Sequence, residues 1–233
     1  MLERSGSLDV GRPGQVDTLL LVPGNVKAML SFAHGAGAGM RHPFLAALCE
    51  KLGERGVATF RYQFPYMQKG NKRIDSTAVL LATVGAAWGA GAAAAEDAAA
   101  EAGVNELPLF AGGKSMGGRI TSMAAAAGSL DRARGLVFVG YPLQSLGGTA
   151  GQDRTSHLFE IRQPMLFLQG TRDRLTPIDA IRTVCREIGA RATLHVVDDA
   201  DHSFRVPKRT GRTGEDVIAE LAQAISDWID ARI

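Results

Sequence analysis

The stretch AGGKSMGGRI, residues 111–120, can be read as two different catalytic devices. As Gly113-Lys114-Ser115 it ends like a phosphate-binding loop, in which backbone amides cradle a phosphate and the lysine reaches for it. As Gly113-Lys114-Ser115-Met116-Gly117 it is G-x-S-x-G, a sharp turn that presents a serine as a nucleophile. The phosphate loop needs its first glycine at position 108. That position is Pro108, and Leu109-Phe110-Ala111 behind it continue an apolar strand. The serine reading has the context it needs: an apolar strand, a glycine-flanked turn, then a helical pattern from about Met116 to Ala127.

A serine hydroxyl is a poor nucleophile until a histidine takes its proton and an acid orients that histidine. Downstream, LQGTRD places Asp173 three residues beyond the end of an apolar run. DADHSF places His202 in the loop after the next one. The order serine, acid, histidine, each in a loop that follows a strand, points to a Ser115–Asp173–His202 set. Other candidates fit this order less well. His195 falls inside a strand pattern and His157 precedes the acid, while Asp198, Asp199 and Asp201 are loop acids beside His202. Asp179 sits one turn into a helix, near its positive end.

Acyl transfer also needs two N–H donors aimed at the developing oxyanion. One is the amide after the nucleophile, Met116. The second is expected from AHGAGAGMRHPF, with Ala36 the first choice and Gly35 and Gly37 as alternatives. His34 is read as a brace for this loop. A dinucleotide fingerprint starting at Gly35-Ala36-Gly37 fails, because Met40 stands where the third glycine belongs. The loop FPYMQKGNKR suggests a wall of the pocket, with Tyr66 and Lys69, together with Lys114 and Gly35, as substrate contacts. Alternatively, its aromatics pin a solvated basic loop to the core.

The elements that must position these residues alternate. Strands are read at 17–23, 28–33, 57–62, 107–112, 135–140, 164–170 and 192–197. Helices are read at 42–56, 76–102, 116–127, 177–188 and 214–233, the second interrupted by Gly85, Gly89 and Gly91. Near-continuous apolar strands separated by helices predict an α/β fold with a parallel sheet covered on both faces. Sites in such a sheet gather at the carboxyl ends of the strands. The 233 residues are read as one domain, 1–233.

Bulk properties exclude several classes. Apolar content of 45% and charged content of 21% exclude a disordered chain, and a net charge of +2 gives no reason to expect nucleic acid. The two cysteines, Cys49 and Cys185, build neither a disulfide framework nor a metal-binding spacing, which suggests the cytoplasm. The N-terminus has no signal-peptide pattern. Thr77–Ala95 carries no charge over nineteen residues. Its bulky residues Leu81, Val84 and Trp88 form one helical stripe, so it reads as a helix packed on a sheet, not a membrane span. No cofactor or metal is called for.

Together AHGAGAGMRHPF, FRYQFPYMQKG, AGGKSMGGR, VGYPL, LQGTRD and DADHSF resemble the α/β-hydrolase superfamily across nearly the whole chain. More narrowly, the chain is similar to a dienelactone-hydrolase-like branch of bacterial proteins. Animal testis-expressed proteins and a subunit of the nonspecific-lethal chromatin complex share that branch. The resemblance implies a mostly parallel sheet of about seven to eight strands, a small cap or none, and Ser115, Asp173 and His202 as the triad. True dienelactone hydrolases carry cysteine where Ser115 stands. The expected function is cleavage of a small-molecule ester or thioester through an acyl-enzyme. The competing expectation is a scaffold that keeps the fold and uses its surface for a protein partner.

Overall fold

The charge-poor runs become the centre of one sheet. The computed structural model describes residues 1–144 and 154–233. Strands β1 (Leu2–Asp9), β2 (Gln15–Val22), β3 (Ala28–Ala33), β4 (Val57–Tyr62), β5 (Leu109–Lys114), β6 (Gly135–Val139), β7 (Met165–Gly170) and β8 (Ala192–Val197) lie in the order β1-β2-β4-β3-β5-β6-β7-β8. β3 to β8 are parallel, and β2 joins the edge of β4 antiparallel. β3, β6 and β7 are buried at every residue. They show no polar alternation because both sheet faces are covered.

Successive side chains point to opposite faces, and the two faces carry different helices. Leu30, Phe32, Phe110, Val137 and Leu168 pack with α1 (Pro43–Gly53) and α7 (Gly214–Asp230). Ala111, Leu136, Phe138 and Phe167 face α3 (Thr77–Ala102), α4 (Met116–Ala126) and α6 (Ile178–Ile188). Two short helices, α2 (Pro65–Gln68) and α5 (Ser156–Glu160), lie in the loops after β4 and β6. Of the 142–161 connection, residues 145–153 lie outside the described set.

Two expectations change. No strand was expected before residue 17, yet β1 pairs with β2 along its whole length, from Leu2 opposite Val22 to Asp9 opposite Gln15. β1 is an exposed edge strand with almost no buried residue, so it carries no hydrophobic alternation to read. Its turn is local: Gly11 N–H donates to the Asp9 carboxylate at 2.8 Å, and Val10 N–H to the Gly14 carbonyl at 3.1 Å. The helix expected to be interrupted at Gly85, Gly89 and Gly91 is instead continuous from Thr77 to Ala102. Ser76 caps its start and Gly103, at φ 69°, ends it. It is long and apolar enough to cross a membrane. Here it lies on the sheet, with Leu80, Val84, Trp88, Ala92, Ala95 and Ala99 buried.

Candidate active site

β5 and α4 meet at a single residue. Ser115 makes the whole turn with φ 51° and ψ −117°, and its N–H donates to the Val139 carbonyl of the neighbouring strand at 3.0 Å. A non-glycine residue at positive φ is strained, and the surroundings must hold it there. Close packing of the helix on the strand supplies the hold. A Cβ on Gly113 would lie 2.6 Å from the Gly117 carbonyl carbon, and one on Gly117 would lie 2.5 Å from the His34 oxygen. Only glycine fits at either place. The strand also runs two residues further than expected, because Gly113 and Lys114 pair with Phe138 and Val139 of β6. It therefore leads straight into the serine.

The structure brings Ser115, His202 and Asp173 together from three separate loops. Ser115 Oγ and His202 Nε2 are 2.8 Å apart, and His202 Nδ1 is 2.7 Å from Asp173 Oδ2. Asp173 is buried, with 4% of its surface exposed, while His202 is half-buried at the cleft. The Asp173 carboxylate also accepts from Leu175 N–H at 2.8 Å and from Gln169 Nε2 at 2.5 Å. With the carboxylate on Nδ1, the proton belongs there, and Nε2 is left with a lone pair facing the hydroxyl.

The histidine loop has its own fastenings. Asp201, one of the loop acids beside His202, accepts from Ser203 N–H at 2.8 Å and from Arg205 N–H at 2.9 Å, which closes the turn. Phe204 folds back at φ 60° and stacks on Phe44 with ring centroids 5.7 Å apart. Lys114 Nζ donates to the His202 carbonyl at 2.7 Å and lies 5.4 Å from the centre of the Phe204 ring. Burial pushes the Lys114 amine down to about 8, partly opposed by the nearby Asp173 and Asp201 carboxylates.

The loop after β3 faces Ser115. A Cβ on Gly35 would lie 3.7 Å from Ser115 Cβ, so this backbone passes directly over the serine. Fully buried His34 braces it: Nε2 accepts from Phe64 N–H at 3.0 Å, and Nδ1 donates to the Gly35 carbonyl at 2.8 Å. Burial holds this imidazole down to about 4, against the Gly35 bond that favours its charged form, so it stays neutral. Gly37 N–H donates to the Tyr66 hydroxyl at 3.2 Å and Met40 N–H to Gln63 Oε1 at 2.8 Å. Among the described residues, neither Ala36 nor Met116 N–H has an acceptor. Met116 opens α4, where first-turn amides have no partner within the helix. A cleft of about 320 Å³ opens over this arrangement, lined by Gly35, Ala36, Lys114, Ser115 and His202, with apolar walls from Phe44, Leu45 and Leu175.

Two residues expected to touch substrate do not line the cleft. Tyr66 is buried behind the Gly35–Gly39 loop, where its hydroxyl props Gly37, and Lys69 is exposed at the end of α2. The aromatic residues of this segment are needed by the core, and that turns the lysines outward. His195 bonds Glu220 at 2.9 Å, away from Ser115. Asp199 pairs with Arg209 at 2.6 Å, and Asp179 with Arg182 at 3.1 Å on the first turn of α6. His157 makes a second serine–histidine contact, 2.8 Å from Ser122 Oγ. Ser122 is fully buried inside α4, and its hydroxyl donates to the Arg119 carbonyl at 2.7 Å, so no acyl carbon can reach it. Gln169 and the Lys114–His202 bond were not anticipated. The lysine bond depends on how the strands are arranged and the glutamine on the path of the loop after β7, and neither belongs to a motif.

The chain belongs to the alpha/beta hydrolase domain family, whose model matches residues 26–230. It is similar to dienelactone hydrolase from Anabaena variabilis, with a TM-score of 0.75 and 20% identity over 100% of this chain and 98% of that one. An alpha-beta serine hydrolase homologue from Coxiella burnetii gives a TM-score of 0.71 and 19% identity over 97% of each chain. A serine hydrolase without a lid from Xanthomonas campestris gives a TM-score of 0.70 and 20% identity over 97% of this chain and 94% of that one. At such identities the likeness is one of fold. Family membership supports a hydrolase.

Proposed function

We propose that the protein is a serine hydrolase that cleaves small esters or thioesters through an acyl-enzyme. The observation that carries this reading is the continuous relay from Ser115 Oγ to His202 Nε2 at 2.8 Å and from His202 Nδ1 to Asp173 at 2.7 Å, built on a serine at positive φ. Ser115 attacks the acyl carbon while His202 Nε2 takes its proton. Asp173 keeps the ring oriented and balances the charge that develops on it. The carbonyl oxygen, now negative, is received by the Ala36 and Met116 N–H groups, each such donor being worth about 10²–10³ in rate. His202 returns the proton to the departing alkoxide or thiolate. Water, deprotonated by the same nitrogen, then releases the acid and restores Ser115.

The open cleft and its short apolar walls favour a short acyl group, with Gly35 and Lys114 beside it. The motif likeness to the dienelactone-hydrolase-like branch, with serine in place of cysteine, supports ester chemistry. It also leads us to place the protein with the testis-expressed and chromatin-complex relatives. We take the cytoplasm as its site of action and a small molecule as its partner. Labelling with a fluorophosphonate probe tests the reading: wild type should form an adduct that Ser115→Ala does not. Folded wild type that fails to label, and fails to turn over p-nitrophenyl esters and acyl thioesters, would shift the assignment to a non-catalytic scaffold.

A further inference from the structure

A buried carboxylate can serve a histidine only if it stays charged and keeps one orientation, and burial opposes the charge. Asp173 meets this need with three donors. Leu175 N–H holds Oδ1, and Oδ2 takes both the His202 Nδ1 proton and one proton of the Gln169 amide. The Gln169 contact is short, 2.5 Å, and comes from the carboxyl end of β7, four residues before the acid. Gln169 has none of its surface exposed.

Its amide is one-sided. Nε2 reaches Asp173, while the carbonyl Oε1 is buried and finds no hydrogen-bond partner among the described residues. An unmet buried acceptor of this kind costs stability. Turning the amide over would set Oε1 against an anionic oxygen, acceptor against acceptor, so the observed orientation is the one Asp173 dictates. A glutamine kept only to fill the core would lose nothing if replaced by an apolar residue of its size. We infer that Gln169 is a positioning residue for the reaction. It acts through Asp173, by fixing in place the carboxylate oxygen that holds His202 Nδ1.

This inference rests on the serine-hydrolase reading, and its test separates the two. Gln169→Met keeps the length of the side chain and removes both the donor and the orphaned oxygen, with Gln169→Leu as a second apolar variant. The unfolding midpoint should stay level or rise, while kcat on a p-nitrophenyl ester falls by between about 10- and about 100-fold, the scale of a misplaced catalytic group. KM should stay within about twofold, and the rate of fluorophosphonate labelling at Ser115 should fall in step with kcat. In an Asp173→Asn background, adding Gln169→Met should change the labelling rate by less than about twofold, because the residue it acts through is already disabled. The inference is overturned if both apolar variants keep wild-type kcat, if activity falls only in proportion to lost stability, or if the loss is the same in both backgrounds. Wild type that does not label at all refutes the serine-hydrolase reading instead.

Discussion

Lys114 Nζ donates to the backbone carbonyl of His202 at 2.7 Å, so the residue before Ser115 ties down the loop that carries His202. The tie crosses from β5 to the loop after β8, between strands that are not neighbours in the sheet. Lys114→Met keeps the stem and removes the donor. It should lower kcat by about 10-fold or more with little change in KM for a neutral ester, since the geometry at Nε2 loosens while the cleft walls remain. Lys114→Arg should not rescue it, because the His202 carbonyl is met by one compact ammonium, and a planar guanidinium on a longer stem presents its donors in a different geometry. Wild-type kinetics in Lys114→Met would reduce the bond to packing.

The same lysine makes stability depend on pH. Its folded amine titrates at about 8, below the usual 10.5. Below pH 8 both folded and unfolded chains carry the charge, and the folded one bears the full cost of burying it. Between 8 and 10.5 the folded chain sheds the proton while the unfolded chain keeps it, so folding gains with rising pH. Urea midpoints at pH 7 and pH 10 should therefore show Lys114→Met more stable than wild type at the lower pH, with the gap closing at the higher. A constant gap would contradict the burial argument.

His34 gives the opposite end of the scale. It is neutral in the fold down to about pH 4, whereas an unfolded histidine protonates near 6.5. The stability it supports is present above pH 6.5 and is lost as pH falls toward 4, by about 3 kcal/mol over that window. Denaturant titrations from pH 7 to pH 4 should show this slope in wild type and a shallower one in His34→Gln, which keeps a polar brace but cannot take up the proton.

Ser115→Ala and His202→Ala should each lower kcat by about 10⁴-fold or more, because a nucleophile and its base act as a unit. Ser122→Ala should leave the rate within a few-fold, since Ser122 is enclosed in α4. Turnover retained in Ser115→Ala and lost in Ser122→Ala would move the chemistry to the Ser122–His157 pair.

Two kinds of glycine should behave oppositely. In Gly113→Ala the new methyl meets backbone at 2.6, 2.7 and 2.8 Å, and backbone cannot swing aside. A loss of about 1–3 kcal/mol and of probe labelling should follow. Gly85 and Gly89, inside α3, have open space where a Cβ would go. Their alanine variants should be more stable by about 0.5–1 kcal/mol each, by differential scanning calorimetry.

What is legible along the chain follows from range. The strand–turn–helix around Ser115, and the placing of Asp173 and His202 after strands, are local patterns of apolar run, glycine and polar loop. A reading along the chain therefore finds them. β1 escapes because an exposed edge strand needs no alternation of apolar and polar residues, only the free edge of β2. Gln169 and the aim of Lys114 escape for a different reason. Lys114 meets a partner 88 positions away only once β5, β6, β7 and β8 lie side by side, and Gln169 meets its partner 4 positions away only through the fold of the loop after β7, which no motif announces. The sequence left two readings of the loop with Tyr66 and Lys69, because an aromatic-and-basic loop has the same composition whether it faces a cleft or anchors in the core.

At φ 51° residue 115 asks for glycine and holds serine. A backbone conformation of this kind costs a side-chain-bearing residue about 1–3 kcal/mol. Ser115→Ala keeps that strain and Ser115→Gly releases it, so the glycine variant should unfold at a higher denaturant concentration than the alanine one. Mutation that merely drifts toward a sturdier fold is thus drawn to an inert sequence at this one codon. A laboratory screen that selects survivors by heat resistance alone would enrich dead protein, unless each round also demands turnover.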